Sequence, residues 1–202
     1  MPLPGYEAQV RMSPSHRAFT PAPGKGAPFV GAVMLLLYPG DERDRLFVVL
    51  TVRTENVTVH KGQVSFPGGA NEPEDTSLAH TAIREACEEL GVCGNDVSII
   101  GELTPIYIEP SNFHVHPFVA HLPYRPSFVP QQEEVLRVLE VPVCHFFDPK
   151  NINVENRVID GTERRIPYFD VHGRKVWGAT AIILSEFVAV LEKIEELPDT
   201  FS

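Results

Sequence analysis

Apolar runs separated by Gly, Pro and Asp lay out the chain's elements. The stretch Phe29 to Tyr38 (FVGAVMLLLY) is almost unbroken in its apolar character. Leu46 to Arg53 (LFVVLTVR) repeats that character after a break at Pro39-Gly40-Asp41. Runs of this length bounded by turn residues predict strands buried on both faces. Gln63 to Phe66 is a short extended piece, stopped by Pro67-Gly68-Gly69. Further strand-like runs span Val97 to Ile108, Phe113 to Leu122 and Glu134 to Val143. A hairpin is predicted from Asn153 to Asp170, turning near Gly161, and a short strand from Arg174 to Trp177.

Two stretches carry helical periodicity instead. Leu78, Ala79, Ala82, Ile83, Ala86, Cys87 and Leu90 fall on one stripe, with Asp75, Thr76 or Ser77 able to cap its start and Gly91 able to end it. A second helix is predicted from about Ala179 to Glu196, with Ile182, Ile183, Phe187, Val190, Leu191 and Ile194 as its apolar face. Residues 1–28 are rich in Pro, Gly and Ser and show no period. They read as an irregular arm, able to pack on the body without forming its core, ahead of one domain over residues 29–202. Many strands, two strong helices and one core predict an α/β domain layered around a mixed sheet.

Charge narrows the partners. With 17 Lys+Arg against 27 Asp+Glu, the chain carries a formal net charge of −10. A surface that coats long nucleic acid needs the opposite sign, so long DNA or RNA is excluded as a partner. An anionic substrate would need help from a divalent cation. No apolar run reaches the length of a membrane span, and the N-terminus lacks the apolar centre of a secretion signal, so a cytoplasmic protein is expected. Cys87, Cys93 and Cys144 form neither a metal knuckle nor a disulfide framework and are expected to be reduced thiols.

The chemistry concentrates in Arg84-Glu85-Ala86-Cys87-Glu88-Glu89-Leu90-Gly91-Val92. At about 100° per residue, Glu85, Glu88 and Glu89 share a narrow arc opposite the apolar stripe, with Glu85 and Glu89 one turn apart. Carboxylates at this spacing repel one another, and a hard divalent cation reverses that sign. Arg84 can hold a carboxylate or phosphate with its planar fork. A solvated acidic helix face would give the same local pattern. What argues for a site is Phe66-Pro67-Gly68-Gly69 just upstream, where paired glycines let backbone approach a metal or phosphate closely.

Together these segments resemble the Nudix box, whose pattern is G-x5-E-x7-R-E-U-x-E-E-x-G-U with U aliphatic. The second half matches, with Ala86 as a small U. In the first half, counting from Gly69 puts Asp75 at the glutamate position, with eight residues before Arg84. Counting from Gly68 puts Glu74 there, with nine residues following. The branch resembling coenzyme A pyrophosphatases has the same stretched loop. It also has an upstream signature similar to Val49-Leu50-Thr51-Val52-Arg53-Thr54 and Gly62-Gln63-Val64-Ser65-Phe66-Pro67-Gly68-Gly69, with Thr58 standing where that signature has Arg. Trp177-Gly178-Ala179-Thr180 extends the similarity more weakly.

The resemblance implies an α/β/α sandwich around a mixed sheet. It also implies a Mg²⁺- or Mn²⁺-dependent hydrolase in which water attacks phosphorus and a P–O–P bridge breaks. Glu85, Glu88, Glu89 and the Gly69 carbonyl become the expected metal ligands. Glu88 is also a candidate base, and Arg84 orients the glutamates. Arg53, His60, Lys61 and Gly68 are candidates for the substrate. Glu134 is an alternative base from a late loop, set against a reading as a solvated acid.

The expected partner is a small nucleoside diphosphate linked to a group X: coenzyme A or its derivatives, or else ADP-ribose, a dinucleotide or a nucleoside triphosphate. A binding module that does not cleave its nucleotide is the rival of another class, and a homodimer is allowed. His114 and His116 share a strand face but lack a later Cys/His pair, so zinc is not expected. Phe113 and Tyr107 are candidate base-stacking rings, with a core role as the commoner use of strand aromatics.

Overall fold

The computed structural model describes residues 2–15, 20–21, 24, 26–41, 45–54, 62–94, 96–159 and 161–194. Its elements begin with a single helical turn, α1 (Tyr6–Gln9), continued by a 3-10 turn. There follow β1 (Phe29–Pro39), β2 (Leu46–Arg53), β3 (Val64–Ser65), β4 (Gly68–Ala70) and α2 (Leu78–Leu90). Next come β5 (Ser98–Glu102), β6 (Ile106–Ile108), β7 (Phe113–His121) and β8 (Val135–Pro142). The chain continues through two 3-10 turns, β9 (Ile152–Ile159), β10 (Thr162–Val171), β11 (Arg174–Trp177) and α3 (Gly178–Glu192).

Eight of these strands form a mixed sheet. β1 lies at its centre, antiparallel to β2 and parallel to β7 along Phe29–Leu37. β2 pairs β3 and β8, β7 pairs β5 and β6, and β4 pairs the start of β1. The apolar run of β1 splits by parity. Leu35 and Leu37 join a core shared with α3 and with the sheet β9–β10–β11, whereas Met34, Leu36 and Tyr38 join a core under α2. This is the expected α/β/α arrangement, and the continuous apolar character of β1 follows from burial on both faces.

Local chemistry fixes α2 at both ends. Ser77 accepts from the His80 N–H at 3.1 Å as N-cap, and Gly91, at φ 70°, closes the helix with its N–H on the Cys87 carbonyl. Ala82 and Ala86 are fully buried against the sheet, small enough to bring the helix axis close to β1 and β4. α3 is apolar nearly all round and is buried accordingly.

Several expectations need correction. The run Val97 to Ile108 is two strands, because Pro105 supplies no N–H and the Thr104 N–H is taken by the Glu186 carboxylate at 3.2 Å. The N-terminal stretch read as an irregular arm contains α1, and Ala8 and Met12 are buried, Met12 within the core itself. It is pinned by Glu186. That carboxylate has no exposed surface and accepts from the Gln9 side chain, the Gly5 N–H and both donors of Thr104. Cys87 and Cys93 form a disulfide, with Cα atoms 4.6 Å apart, rather than two reduced thiols; Cys144 is free. The reversal at Gly91 turns the chain back on the helix and brings the two residues together.

Candidate active site

The loop after β3 delivers the first part of the site. Gly68 adopts φ 150°, and a Cβ there would press within 2.6 Å of Val33 Cα, so only glycine lets β4 seat against β1. At Gly69 the neighbour is different: a Cβ would stand 2.6 Å from Glu85 Cδ. The bare backbone of Gly69 is therefore what leaves room for the Glu85 carboxylate.

Arg84 organises the surrounding acids. Its Nε and Nη2 donate to the two carboxylate oxygens of Asp75, each at 3.1 Å. Nη2 also donates to the Ala70 carbonyl at 3.0 Å. Nη1 lies 3.0 Å from Glu85 Oε1 and donates to Glu88 Oε2 at 3.1 Å. The hydrogen bonds from Arg84 hold the Asp75 carboxyl well below the usual carboxylate range, and Asp75 in turn raises Arg84. Of the two acids that motif counting left open, Asp75 is the one that Arg84 engages. Glu88 lies at the rim, 55% exposed at its side chain.

Glu89 lies at the opposite extreme. The expectation that Glu89 lies opposite the apolar stripe fails here: seven residues after Ala82 it projects to the same buried side, and only 2% of it is exposed. The segment 129–131 covers this end of α2, with the Val129 and Gln131 N–H groups donating to the Leu90 and Glu89 carbonyls at 2.8 and 2.9 Å. Burial pushes the Glu89 carboxyl up to about 8. Arg53, with Nη1 at 3.8 Å from Oε1, opposes that shift, Glu85 and Glu134 add to it, and the Gly68 N–H opposes it again. Burial likewise raises Glu85, against the pull of Arg84 and with the push of Glu88 and Glu134. Among the described residues, two polar atoms at this spot, Glu89 Oε2 and Arg53 Nε, are buried without a hydrogen-bond partner.

Of the predicted residues, Glu85, Glu89, Arg84, Gly68, Gly69 and Arg53 come together here. Arg53 faces Glu89. Glu134, weighed as a solvated acid, is half-buried and close enough for its charge to act on both Glu85 and Glu89. Its carbonyl accepts from the Thr54 N–H at 2.9 Å, which ties it to the end of β2. His60, Lys61 and Thr58 lie outside the described residues. Tyr107 is buried and donates to Asn112 Oδ1 at 3.0 Å, so it is a core ring. Phe113 stacks on exposed Phe29, with ring centroids 6.3 Å apart. His116 lies 2.8 Å from a Glu102 oxygen.

Among the described residues, no three His, Cys, Asp or Glu groups converge tightly enough to chelate an ion alone. Mg²⁺ is held by one or two carboxylates and completes its shell with water and substrate oxygens. The buried, unpartnered Glu89 Oε2 beside Glu85 is a donor set of this kind.

Comparison with known proteins agrees with this geometry. The NUDIX domain family model matches residues 28–167. The uncharacterized Nudix hydrolase NudL of Yersinia pestis is 33% identical over 137 residues, covering 68% of each chain, and NudL of Yersinia pseudotuberculosis matches equally. Among solved structures, the Nudix hydrolase RenU from M. smegmatis aligns with a TM-score of 0.57 at 14% identity, over 93% of this chain and 97% of that one. The C. elegans Ap4A hydrolase in a binary complex aligns at 0.55 and 12% identity, over 81% and 98%. At these identities the structures show a shared fold. The chain belongs to the Nudix family and is a pyrophosphatase, a hydrolase of phosphorus-containing anhydrides. Among the described residues, no helix is long and apolar enough to cross a membrane.

Proposed function

We propose that this Nudix enzyme is a Mg²⁺- or Mn²⁺-dependent pyrophosphohydrolase acting on a nucleoside diphosphate linked to a group X, with coenzyme A and its derivatives the first candidates. The observation that carries the metal-dependent reading is Glu89: a buried carboxylate with one unpartnered oxygen, one turn from Glu85. Among the described residues, only Arg53 and the Gly68 N–H offset the cost of burying that charge. The coenzyme A reading rests on the order of residues 49–54 and 62–69, and Thr58 keeps other nucleoside diphosphates as the second reading.

In this reading Glu85, Glu89 and the Gly69 carbonyl hold the cation, and Glu88 stands at its edge. A bound divalent cation supplies charge neutralisation for phosphate oxygens and a more acidic water. Arg84 fixes the direction of Glu85. Arg53 favours the ionised form of Glu89 against its burial and can turn its Nε toward a phosphate oxygen. Glu134 and Glu88 are the two groups able to take a proton from the attacking water. The Glu88 oxygen on which Arg84 donates is engaged, so Glu134 is the better placed.

The test is a panel of coenzyme A, ADP-ribose, dinucleotides and nucleoside triphosphates with Mg²⁺, the products identified by mass spectrometry. Wild-type turnover lost in Glu89→Gln supports the reading. Binding without turnover across the panel would favour a non-cleaving module. Preference for another substrate would retain the enzyme and remove coenzyme A.

A further inference from the structure

One face of the sheet β9–β10–β11 gathers charge, with Arg157, Arg164 and Lys175 beside Glu155 and Asp170. Antiparallel register places Arg157 of β9 directly across from Arg164 of β10. Directly opposed residues in such a pair project to the same face with Cβ atoms about 5 Å apart, and like charges there are destabilising. The same register puts Glu155, Tyr168 and Trp177 on this face.

The two arginines are treated differently. Arg157 leans away from its neighbour, ion-paired to Glu155 and with its guanidinium carbon 4.8 Å from the centre of the Trp177 ring. Lys175 shares Glu155 and lies over Tyr168. Ile166, at the middle of the face, has no exposed surface, so the long side chains lie across it. Arg164 differs: among the described residues its buried Nε finds no hydrogen-bond partner.

A guanidinium with a buried idle donor, set opposite a second guanidinium, is a costly arrangement for the free protein. An oxyanion between the two would satisfy the idle N–H and reverse the repulsion, and phosphate geometry suits the guanidinium fork. The sheet also meets the strand that leads to the active-site loop. β11 runs against β3, and the Thr180 hydroxyl, just past Trp177, donates to the Val64 carbonyl at 3.1 Å. From Val64 the chain passes directly into Pro67-Gly68-Gly69.

We infer that Arg157 and Arg164, backed by Trp177, form an anion-binding face that takes a phosphate monoester group. Its occupant is a phosphate carried on a nucleotide or a free phosphate ion. The inference requires neither the cation site nor cleavage at Glu89.

Trp177 is the only tryptophan in the chain, so it reports on this face directly. The experiment titrates the full-length protein, without divalent metal, with adenosine 5′-monophosphate and separately with inorganic phosphate. It follows tryptophan fluorescence and, in parallel, calorimetry. A saturable fluorescence change is expected, weakened about tenfold or more in Arg164→Gln, as loss of a charge-assisted hydrogen bond implies. Arg157→Lys, which keeps the charge but not the fork, should weaken it less, and Glu89→Gln should leave it unchanged. A response to the nucleotide alone assigns the face to a substrate-borne phosphate, and equal responses assign it to the free ion. The inference is overturned if neither ligand gives a saturable change, or if Arg164→Gln binds as wild type while its near-ultraviolet circular dichroism shows an intact fold. Because Glu89→Gln is inactive under the proposed function, its unchanged binding would separate this face from that reading.

Discussion

Arg84 grips Asp75 with two parallel hydrogen bonds of 3.1 Å, and the Asp75 side chain is wholly withdrawn from solvent. The pair joins the loop after β4 to the middle of α2, and the same guanidinium reaches Ala70, Glu85 and Glu88. Asp75→Asn should therefore act at a distance. One fork of the arginine loses its charged partner, at a cost of about 1.5–3 kcal/mol, and Glu85 loses a fixed neighbour. The expected result is a lower melting temperature together with a fall in kcat of at least about tenfold. Glu74→Gln, one residue away and exposed, should leave both unchanged. Equal effects from the two variants, measured by calorimetry and steady-state kinetics, would show that the fork is not what positions the site.

The raised Glu89 carboxyl gives a pH signature with a definite sign. Between the ordinary carboxyl range and about 8, the metal-free folded protein retains a proton that the unfolded chain has released. Raising the pH through that window therefore destabilises the metal-free fold, by an amount on the order of 5 kcal/mol at most. Above it the loss is complete. Glu89→Gln should flatten the curve and make the metal-free protein more stable than wild type at about pH 8.5. Mg²⁺ should restore stability to wild type most strongly at that same pH, since it binds the ionised form. Denaturation at several pH values, with chelator and with Mg²⁺, measures all three. A pH-independent wild type would remove the buried ionisable group from the account.

Legibility in the sequence followed the range of the interactions. α2 was readable because its signals are local: a Ser cap, an apolar stripe and a terminal Gly all lie within fifteen residues. The two-sided burial of β1 was readable from its unbroken apolar run. The close approach of Gly69 to Glu85 was legible as a motif, although the reason for it, a Cβ with nowhere to go, needed coordinates. Motif counting left Asp75 and Glu74 tied, since a loop can absorb one residue and only the arginine fork decides between them. The Arg53–Glu89 pairing and the nearness of Glu134 depend on β2, α2 and a loop 130 residues into the chain meeting in space, and no local periodicity encodes that. The burial of Glu89, by contrast, is encoded locally: at about 100° per residue it projects between Leu78 and Ala82, on the buried side of α2. The Cys87–Cys93 bond had a signal that was passed over: two cysteines flanking a helix-ending glycine.

Glu134 and Glu88 can be separated as bases. Glu88 is at the rim and engaged with Arg84, whereas the charge of Glu134 reaches both Glu85 and Glu89. Glu134→Gln should lower kcat by about 10²-fold or more with KM little changed, as expected for loss of a general base. Glu88→Gln should cost less than about tenfold. The reverse ranking would return the role to Glu88.

The disulfide links the last turn of α2 to the segment just beyond Gly91, enclosing Glu88 and Glu89. Closing so short a loop stabilises by about 2 kcal/mol in the chain-entropy account. Reductant should lower the wild-type melting temperature by several degrees and leave Cys87→Ser unmoved. Thiol titration of the unreduced, denatured protein should find one free group, Cys144. Three reactive thiols would mean that the bond does not form.

Gly68 and Gly69 adjoin in sequence and differ in what they serve. At Gly68 an added Cβ meets the backbone of β1, in a conformation that side chains rarely adopt, so Gly68→Ala should act on the fold and lower stability by about 1–3 kcal/mol. At Gly69 the added Cβ meets only the end of a side chain, the Glu85 carboxylate, which can rotate away. Gly69→Ala should then leave the melting temperature within a degree or two of wild type while activity falls by about 10²-fold, because displacement of a positioned group by an ångström is enough for that loss. Raising Mg²⁺ should recover part of the Gly69→Ala activity and none of the lost stability of Gly68→Ala. If Gly69→Ala instead melts early and retains its specific activity when folded, the contact between Gly69 and Glu85 is a matter of packing and not of catalysis.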